Sequence, residues 1–312
     1  MRIGIAAENI PQEKRVVIQP PEINKIAKKH EVIVEREAGI GIDITDDAFM
    51  KAGCKIGSRR EVYDCDLVVR IKEPSIEDIA MMRPGSIIMS MMHIRCHPKL
   101  EDALRKQKLI AIALENLKNS TGKRTVEAVE DSGRIGMEYA FKLWGKDPAT
   151  ANVKIMGYGN MSVGAIRCVA RKFASLTILN KRDFLEMAKH IPGTDILVDA
   201  VNRPFRREVA KEPPIVTREM LKLFKPGSVI VDLVSTPENH APVETMHPTT
   251  LDNLHYMVDG IYHTSCWGWP GLEPKKIAKR YSLQLMPILK NLADKGIDKC
   301  SSLTKAAILR FD

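Results

Sequence analysis

Short apolar runs alternate with helical patterns along most of this chain. "RIGIAAE" (2–8), "HEVIVERE" (30–37), "DLVVRIKEP" (66–74), "GSIIMSMMH" (85–93) and "KLIAIALE" (108–115) are the near-continuous apolar runs of strands covered on both faces. "PPEINKIAKKH" and "HPKLEDALRKQ" lie between them as helices, and this βαβ alternation predicts a parallel sheet. A helix-compatible stretch over 125–144 follows, and "GKDPAT" ends it, marking a domain boundary. The alternation then repeats, with "NVKIMGYG", "LTILNKR", "TDILVDAV", "SVIVDLV" and "HYMVDGI" as strands and "SVGAIRCVARKFA", "DFLEMAKHI" and "TREMLKLFK" as helices. After "SCWGWPGLEPKK" a last helical segment, kinked at Pro287, is expected to return to the first domain. The pattern predicts an α/β protein of two Rossmann-like parallel-sheet domains with the active site in the cleft between them. One domain is discontinuous, 1–128 plus 270–312, and the other spans 129–269.

Composition adds bounds. A chain of 312 residues with 44% hydrophobic and 28% charged positions reads as an ordinary soluble globular protein. Its apolar runs are too short to span a bilayer, and the N-terminus turns polar too early for a signal peptide, so a cytoplasmic protein is expected. The six cysteines form no C-x-x-C pair, which speaks for free thiols over disulfides or zinc. The net charge of +9 is dispersed in pairs such as Lys28-Lys29, Arg59-Arg60 and Lys275-Lys276, with one looser group of Arg203, Arg206, Arg207 and Lys211. Without aromatic interleaving, this balance suits a phosphate-rich cofactor and small anionic substrates better than nucleic acid.

"IMGYGNMSVGA" (155–165) supplies the first chemistry. Gly157 and Gly159 have the spacing of the first two glycines of G-x-G-x-x-G, which form a tight turn and admit a pyrophosphate to the backbone. Ser162 stands in the third place, a small residue, with Gly164 two positions on. Because the motif follows a strand and opens a helix, the helix N-terminus at Asn160 and Met161 is expected to hold the pyrophosphate. At the end of the next strand, where a carboxylate would bind the ribose hydroxyls of NAD, the chain has Asn180, Lys181 and Arg182. Two cations suit a 2′-phosphate, so NADP(H) is the expected cofactor and 129–269 the NADP(H)-binding Rossmann domain.

In the first domain Arg15 follows the first strand, Lys72 ends the strand "VVRIK" and His93 ends "IIMSMMH", the strand ends at which open parallel sheets hold ligands. "RIGIAAENIPQEKRVVIQPPEI", "EAGIGIDITDDAFMKAGCKI", "VVRIKEP" and "IIMSMMH" resemble the N-terminal domain of the alanine dehydrogenase and transhydrogenase superfamily, and the likeness extends over nearly the whole chain. "GYGNMSVGA" and the basic residues after it bring the chain nearest to carboxyethylornithine synthase-like, saccharopine dehydrogenase-related enzymes. The resemblance implies that 1–128 plus 270–312 is the substrate domain. There Arg15 and Lys72 would bind substrate, Arg15 by its carboxylate and Lys72 at the 2-oxo or imine group. His93 would be the general acid/base beside Lys72. Asp232 would lie with the cofactor, and hydride would pass between nicotinamide and the substrate α-carbon.

Two positions depart from alanine dehydrogenases: Thr236 replaces an aspartate and Gly268 an asparagine. Simple deamination is thereby disfavoured. The leading expectation is an NADPH-dependent oxidoreductase acting on CH–NH bonds, which reduces the imine of a 2-oxo acid and an amino acid, or runs the reverse cleavage. An alanine-type amino-acid dehydrogenase and a non-catalytic NADP-binding sensor are the alternatives. Trp267 and Trp269 read either as an apolar wall for a larger amine or as domain-interface anchors. The remaining histidines lack metal-binding spacing, so no metal is expected. Relatives of this kind suggest a homo-oligomer.

Overall fold

The computed structural model describes residues 1–203, 212–235 and 240–311. The chain divides into two compact units, Met1–Glu127 with Glu273–Asp312, and Ala128–Leu272, so "GKDPAT" lies inside the second unit and not at the expected boundary. In the first, β1 (Arg2–Ile5), β2 (Glu31–Glu35), β3 (Lys55–Gly57), β4 (Leu67–Val69), β5 (Ile87–Ser90) and β6 (Ile110–Ala113) make one sheet in the order β3-β2-β1-β4-β5-β6, every pair parallel. The strands bury nearly every residue, as β-branched runs covered on both faces must. The chain leaves this sheet toward one side after β1 and the other after β4, so the strand ends of β1, β4 and β5 open on one crevice.

Several short elements escaped the hydrophobic pattern. β3 has only three residues, and the helices Asp46–Lys51, Arg59–Tyr63 and Ile76–Ala80 are one to two turns each. Their beginnings are nonetheless written in the sequence: Thr45, Ser58 and Ser75 cap them, the latter two in reciprocal capping boxes with Glu61 and Asp78. The C-terminal helix, Pro274–Lys299, belongs to this unit, and Leu309 donates to the Ala111 carbonyl along the free edge of β6. Its backbone leaves helical dihedrals at Gly296 (φ 70°, ψ 173°) and not at Pro287, where the kink was expected. Glycine adopts that left-handed conformation at no side-chain cost.

The second unit holds β7 (Asn152–Met156), β8 (Ser175–Leu179), β9 (Ile196–Asp199), β10 (Val229–Asp232), β11 (Tyr256–Val258) and β12 (Ile261–Thr264), in the order β11-β12-β10-β9-β7-β8. The expected single strand "HYMVDGI" is a correction: β11 and β12 form an antiparallel hairpin. Asp259 (φ 49°) and Gly260 (φ 80°) both take left-handed backbone, the requirement of a two-residue turn between twisted strands. "TREMLKLFK" forms only a 3₁₀ segment, Glu219–Leu223. The helices Val129–Trp144 and Asn160–Arg171 cross closely because Gly133 and Gly164 face the partner backbone; a Cβ on Gly164 would lie 1.8 Å from the Glu130 carbonyl oxygen.

Candidate active site

The loop after β1 and the residues leaving β4 are bound by buried carboxylates. Glu8 accepts the backbone N–H of Ile71 (2.6 Å) and of Lys72 (3.2 Å) and the Arg70 guanidinium (3.0 Å). Arg70 is fully buried and also donates to Tyr63 (2.7 Å) and Asp78 (2.9 Å). Burial raises the Glu8 carboxyl despite Arg70 and these N–H groups. The result is a rigid seat that sets the direction in which Lys72, itself buried, leaves the strand.

Arg15 is buried as well. Its Nε donates to Glu13 at 2.7 Å, its Nη2 donates to the other oxygen of the same carboxylate, and its guanidinium lies over the Tyr281 ring of the C-terminal helix at 5.6 Å. Burial opposes charge on both partners, yet their mutual hydrogen bonds hold Glu13 below and Arg15 above their ordinary ranges. Arg15 is therefore preoriented by an internal fork.

His93 leaves β5 with left-handed backbone (φ 39°, ψ 42°). That conformation is held by Glu115, whose carboxylate accepts the N–H of Met92 (3.1 Å) and of His93 (2.6 Å). The ring turns Nδ1 to Glu73 Oε1 at 2.5 Å. Burial works against the Glu73 charge, but the hydrogen bond and charge of His93, joined by Lys72, take the carboxyl down to about 2. Lys72 acts electrostatically on both Glu13, the partner of Arg15, and Glu73, the partner of His93. A pocket of about 390 Å³, lined by Glu73, Pro74, Ile76, His97, Pro98 and Leu100, opens beside it. The residues missed by sequence reading are Glu8, Glu13, Glu73, Glu115 and Tyr281. Glu73 and Glu13 had a visible signal in their adjacency to Lys72 and Arg15; Glu115 and Tyr281 had none.

In the second unit Gly157 (φ +89°) makes the turn after β7, and a Cβ there would lie 3.1 Å from the Ala200 carbonyl oxygen. Ser162, in the third glycine's place, is fully buried; its hydroxyl accepts from the Gly159 N–H and donates to the Gly157 carbonyl, both at 3.2 Å. The close packing usually assigned to the third glycine falls to Gly164. At Gly159 the space where a Cβ would sit is open, and Asn160 and Met161 begin the twelve-residue helix Asn160–Arg171. An open cradle before a helix N-terminus fits a pyrophosphate. After β8, Lys181 and Arg182 are exposed, while Asn180 closes the turn: its N–H donates to Asp183 (2.7 Å) and its side-chain oxygen accepts from the Arg182 N–H (2.9 Å).

Asp232 is fully buried and accepts from Val234, Ser235 and Ser265, so it holds the loop that leaves β10. Thr236, Arg206, Arg207 and Lys211 lie outside the described residues. Trp269 is buried in the core of its own unit and donates to the Asp232 carbonyl (3.2 Å), whereas Trp267 is partly exposed. Among the described residues no group of three or more His, Cys, Asp or Glu side chains could hold a metal, and no helix is long and apolar enough to cross a membrane.

Two six-stranded α/β units, one with a dinucleotide-type glycine turn and the other carrying Arg15, Lys72 and His93, have the architecture of the nucleotide-dependent oxidoreductases. Residues 4–135 match the family model "Alanine dehydrogenase/PNT, N-terminal domain" and residues 180–309 the corresponding C-terminal domain. An alanine dehydrogenase of Bacillus subtilis is 29% identical over 96% of this chain and 87% of its own length, and one of Methanococcus maripaludis 29% over 95% and 88%. Among solved structures, an L-alanine dehydrogenase superposes with a TM-score of 0.86 at 22% identity, over 99% of this chain and 94% of that one. A transhydrogenase from Sinorhizobium meliloti gives 0.82 at 22% identity, over 99% and 97%. The chain belongs to the alanine dehydrogenase and transhydrogenase superfamily, and is an NAD(P)-dependent oxidoreductase acting on CH–NH2 donors.

Proposed function

We propose that the protein reduces the imine formed between a 2-oxo acid and the amine of an amino acid, using NADPH, with the reverse cleavage available at the same site. The observation that carries this reading is the Glu73–His93 pair at 2.5 Å beside Lys72. Glu73 accepts from Nδ1–H and orients the ring, and Nε2 would exchange a proton with substrate. Lys72 binds the oxygen or nitrogen of the reacting C=O or C=N, and Arg15, preoriented by Glu13, takes the substrate carboxylate. His93 protonates the departing hydroxyl as the carbinolamine loses water, so that one proton and one hydride are consumed per secondary amine formed.

The glycine turn, Asn160 and Met161 would hold the dinucleotide pyrophosphate, and Lys181 and Arg182 its 2′-phosphate. Bound there, a reduced nicotinamide supplies the hydride. Thr236 and Gly268, standing where an ammonia-handling aspartate and asparagine are expected, support an amine larger than ammonia. The relatives named alanine dehydrogenase favour a second reading, in which ammonia is the amine. A homo-oligomeric, cytoplasmic enzyme accompanies either.

The test is oxidation of NADPH and NADH against pyruvate, glyoxylate and 2-oxoglutarate, each with ammonia, ornithine or lysine. Turnover that needs an oxo acid together with a diamine supports imine reduction. Turnover with ammonia alone selects the amino-acid dehydrogenase. Binding of NADPH with no turnover in any mixture, and no loss of cellular function in His93→Ala, selects a sensor.

A further inference from the structure

Asp199 ends β9 and Asp232 ends β10. They are register partners in adjacent parallel strands, so both side chains leave the same face of the sheet, and both are completely buried. The row continues to Met156 on β7, the register partner of Asp199 and the residue before Gly157. The loop after Asp199 touches the glycine turn itself, through the Ala200 carbonyl that faces Gly157.

Hydrogen bonds are shared unequally between the two carboxyls. Among the described residues Asp232 accepts from Val234 N–H (2.8 Å) and Ser235 N–H (2.9 Å) on Oδ1 and from the Ser265 hydroxyl (2.8 Å) on Oδ2. Three donors aimed at one carboxyl describe its ionised form. Asp199 accepts only the Val201 N–H (2.9 Å) on Oδ1, while its Oδ2 is buried and has no hydrogen-bond partner among the described residues. An oxygen so placed, beside a carboxylate in a dry site, is where a proton resides.

Among the described residues, the charged groups acting on Asp199 are Asp232 from β10 and, weakly opposing it, Arg203 from the segment after β9. Arg203 is itself engaged by the Glu212 carboxylate and the Pro213 carbonyl. β7 presents only Met156 and β12 the neutral Ser265. Burial, then the charge of Asp232, hold the Asp199 carboxyl well above its ordinary range.

We propose that Asp199 and Asp232 share one proton, carried on Asp199, and act together as positioning residues for the dinucleotide, fixing the loops that leave β9 and β10. Loss of that proton sets a second negative charge behind the glycine turn and weakens binding of the anionic dinucleotide. This rests on the reading of the second unit as the dinucleotide site.

The experiment is fluorescence titration of NADPH and NADH into wild type and Asp199→Asn over a pH series, with carboxyl infrared difference spectra of the same proteins. Asparagine keeps the shape and a donor in place of the acid O–H and cannot gain the second charge. The wild-type Kd is expected to rise with pH by up to about tenfold per unit once the pair ionises, and the variant to lack that added rise. Titration of the NADPH 2′-phosphate is common to both proteins and cancels. The infrared difference should contain a protonated-carboxyl band; Glu8 is present in both proteins and drops out. Identical pH dependence in the two proteins overturns the positioning role, and absence of the band overturns the shared proton. If wild type binds neither dinucleotide at any pH, the dinucleotide reading and the positioning role fall together, while the infrared band still reports on the proton by itself.

Discussion

Glu73→Gln is the sharpest probe of the site because it removes a charge and keeps the shape. The Glu73 carboxyl ordinarily titrates at 4.5 and here at about 2, with burial opposing and His93 and Lys72 driving the shift. A fall of that size corresponds to on the order of 3 kcal/mol of stability. Because the folded-state value is depressed, that stability is fully present above 4.5 and is lost as pH falls toward 2. Glutamine still accepts from Nδ1–H, so the ring stays in place, but the charge opposite His93 is gone. Urea unfolding at neutral pH should show the variant less stable by about 3 kcal/mol, and the gap should close through the acid window. Turnover should drop about tenfold to a hundredfold, since a proton-bearing His93 loses its counter-charge. A neutral-pH gap under about 1 kcal/mol, or one that persists unchanged in acid, refutes the assignment of the Glu73 shift to His93 and Lys72.

Other substitutions test the remaining parts. Arg15→Lys gives up the fork to Glu13, and steady-state kinetics should show the oxo-acid KM raised about tenfold or more, kcat falling less. Gly164→Ala drives a methyl into the Glu130 carbonyl of the neighbouring helix and should cost about 1–3 kcal/mol or more in thermal unfolding, in line with overpacking of a tight crossing. Lys181→Glu with Arg182→Glu should reverse the preference between NADPH and NADH by about a hundredfold in binding titrations, as repulsion replaces two exposed cations at a 2′-phosphate.

The strands of both sheets were legible because burial on two faces leaves continuous apolar runs, a local signal. Short elements were not: β3 and the one-turn helices draw their stability from packing and caps, and a three-residue strand has no period to detect. The D-G pair between β11 and β12 is a local turn signal, but it is embedded in an apolar run that reads as one strand.

For the site, sequence alone singled out chemistry-bearing residues in the segments that follow the strands: Arg15, Lys72 and His93 in one unit, the glycine turn and Asn180 to Arg182 in the other. Those positions follow from chain order and strand period. Tertiary structure decided their surroundings. Glu13 closes on Arg15, Glu73 on the His93 ring and Glu115 on its backbone, and Tyr281 arrives from more than 260 residues away in the chain. It likewise made Asp199 and Asp232 neighbours across two strands. Charge and proton affinity depend on what stands within a few ångströms in space, and no local pattern of residues encodes that distance.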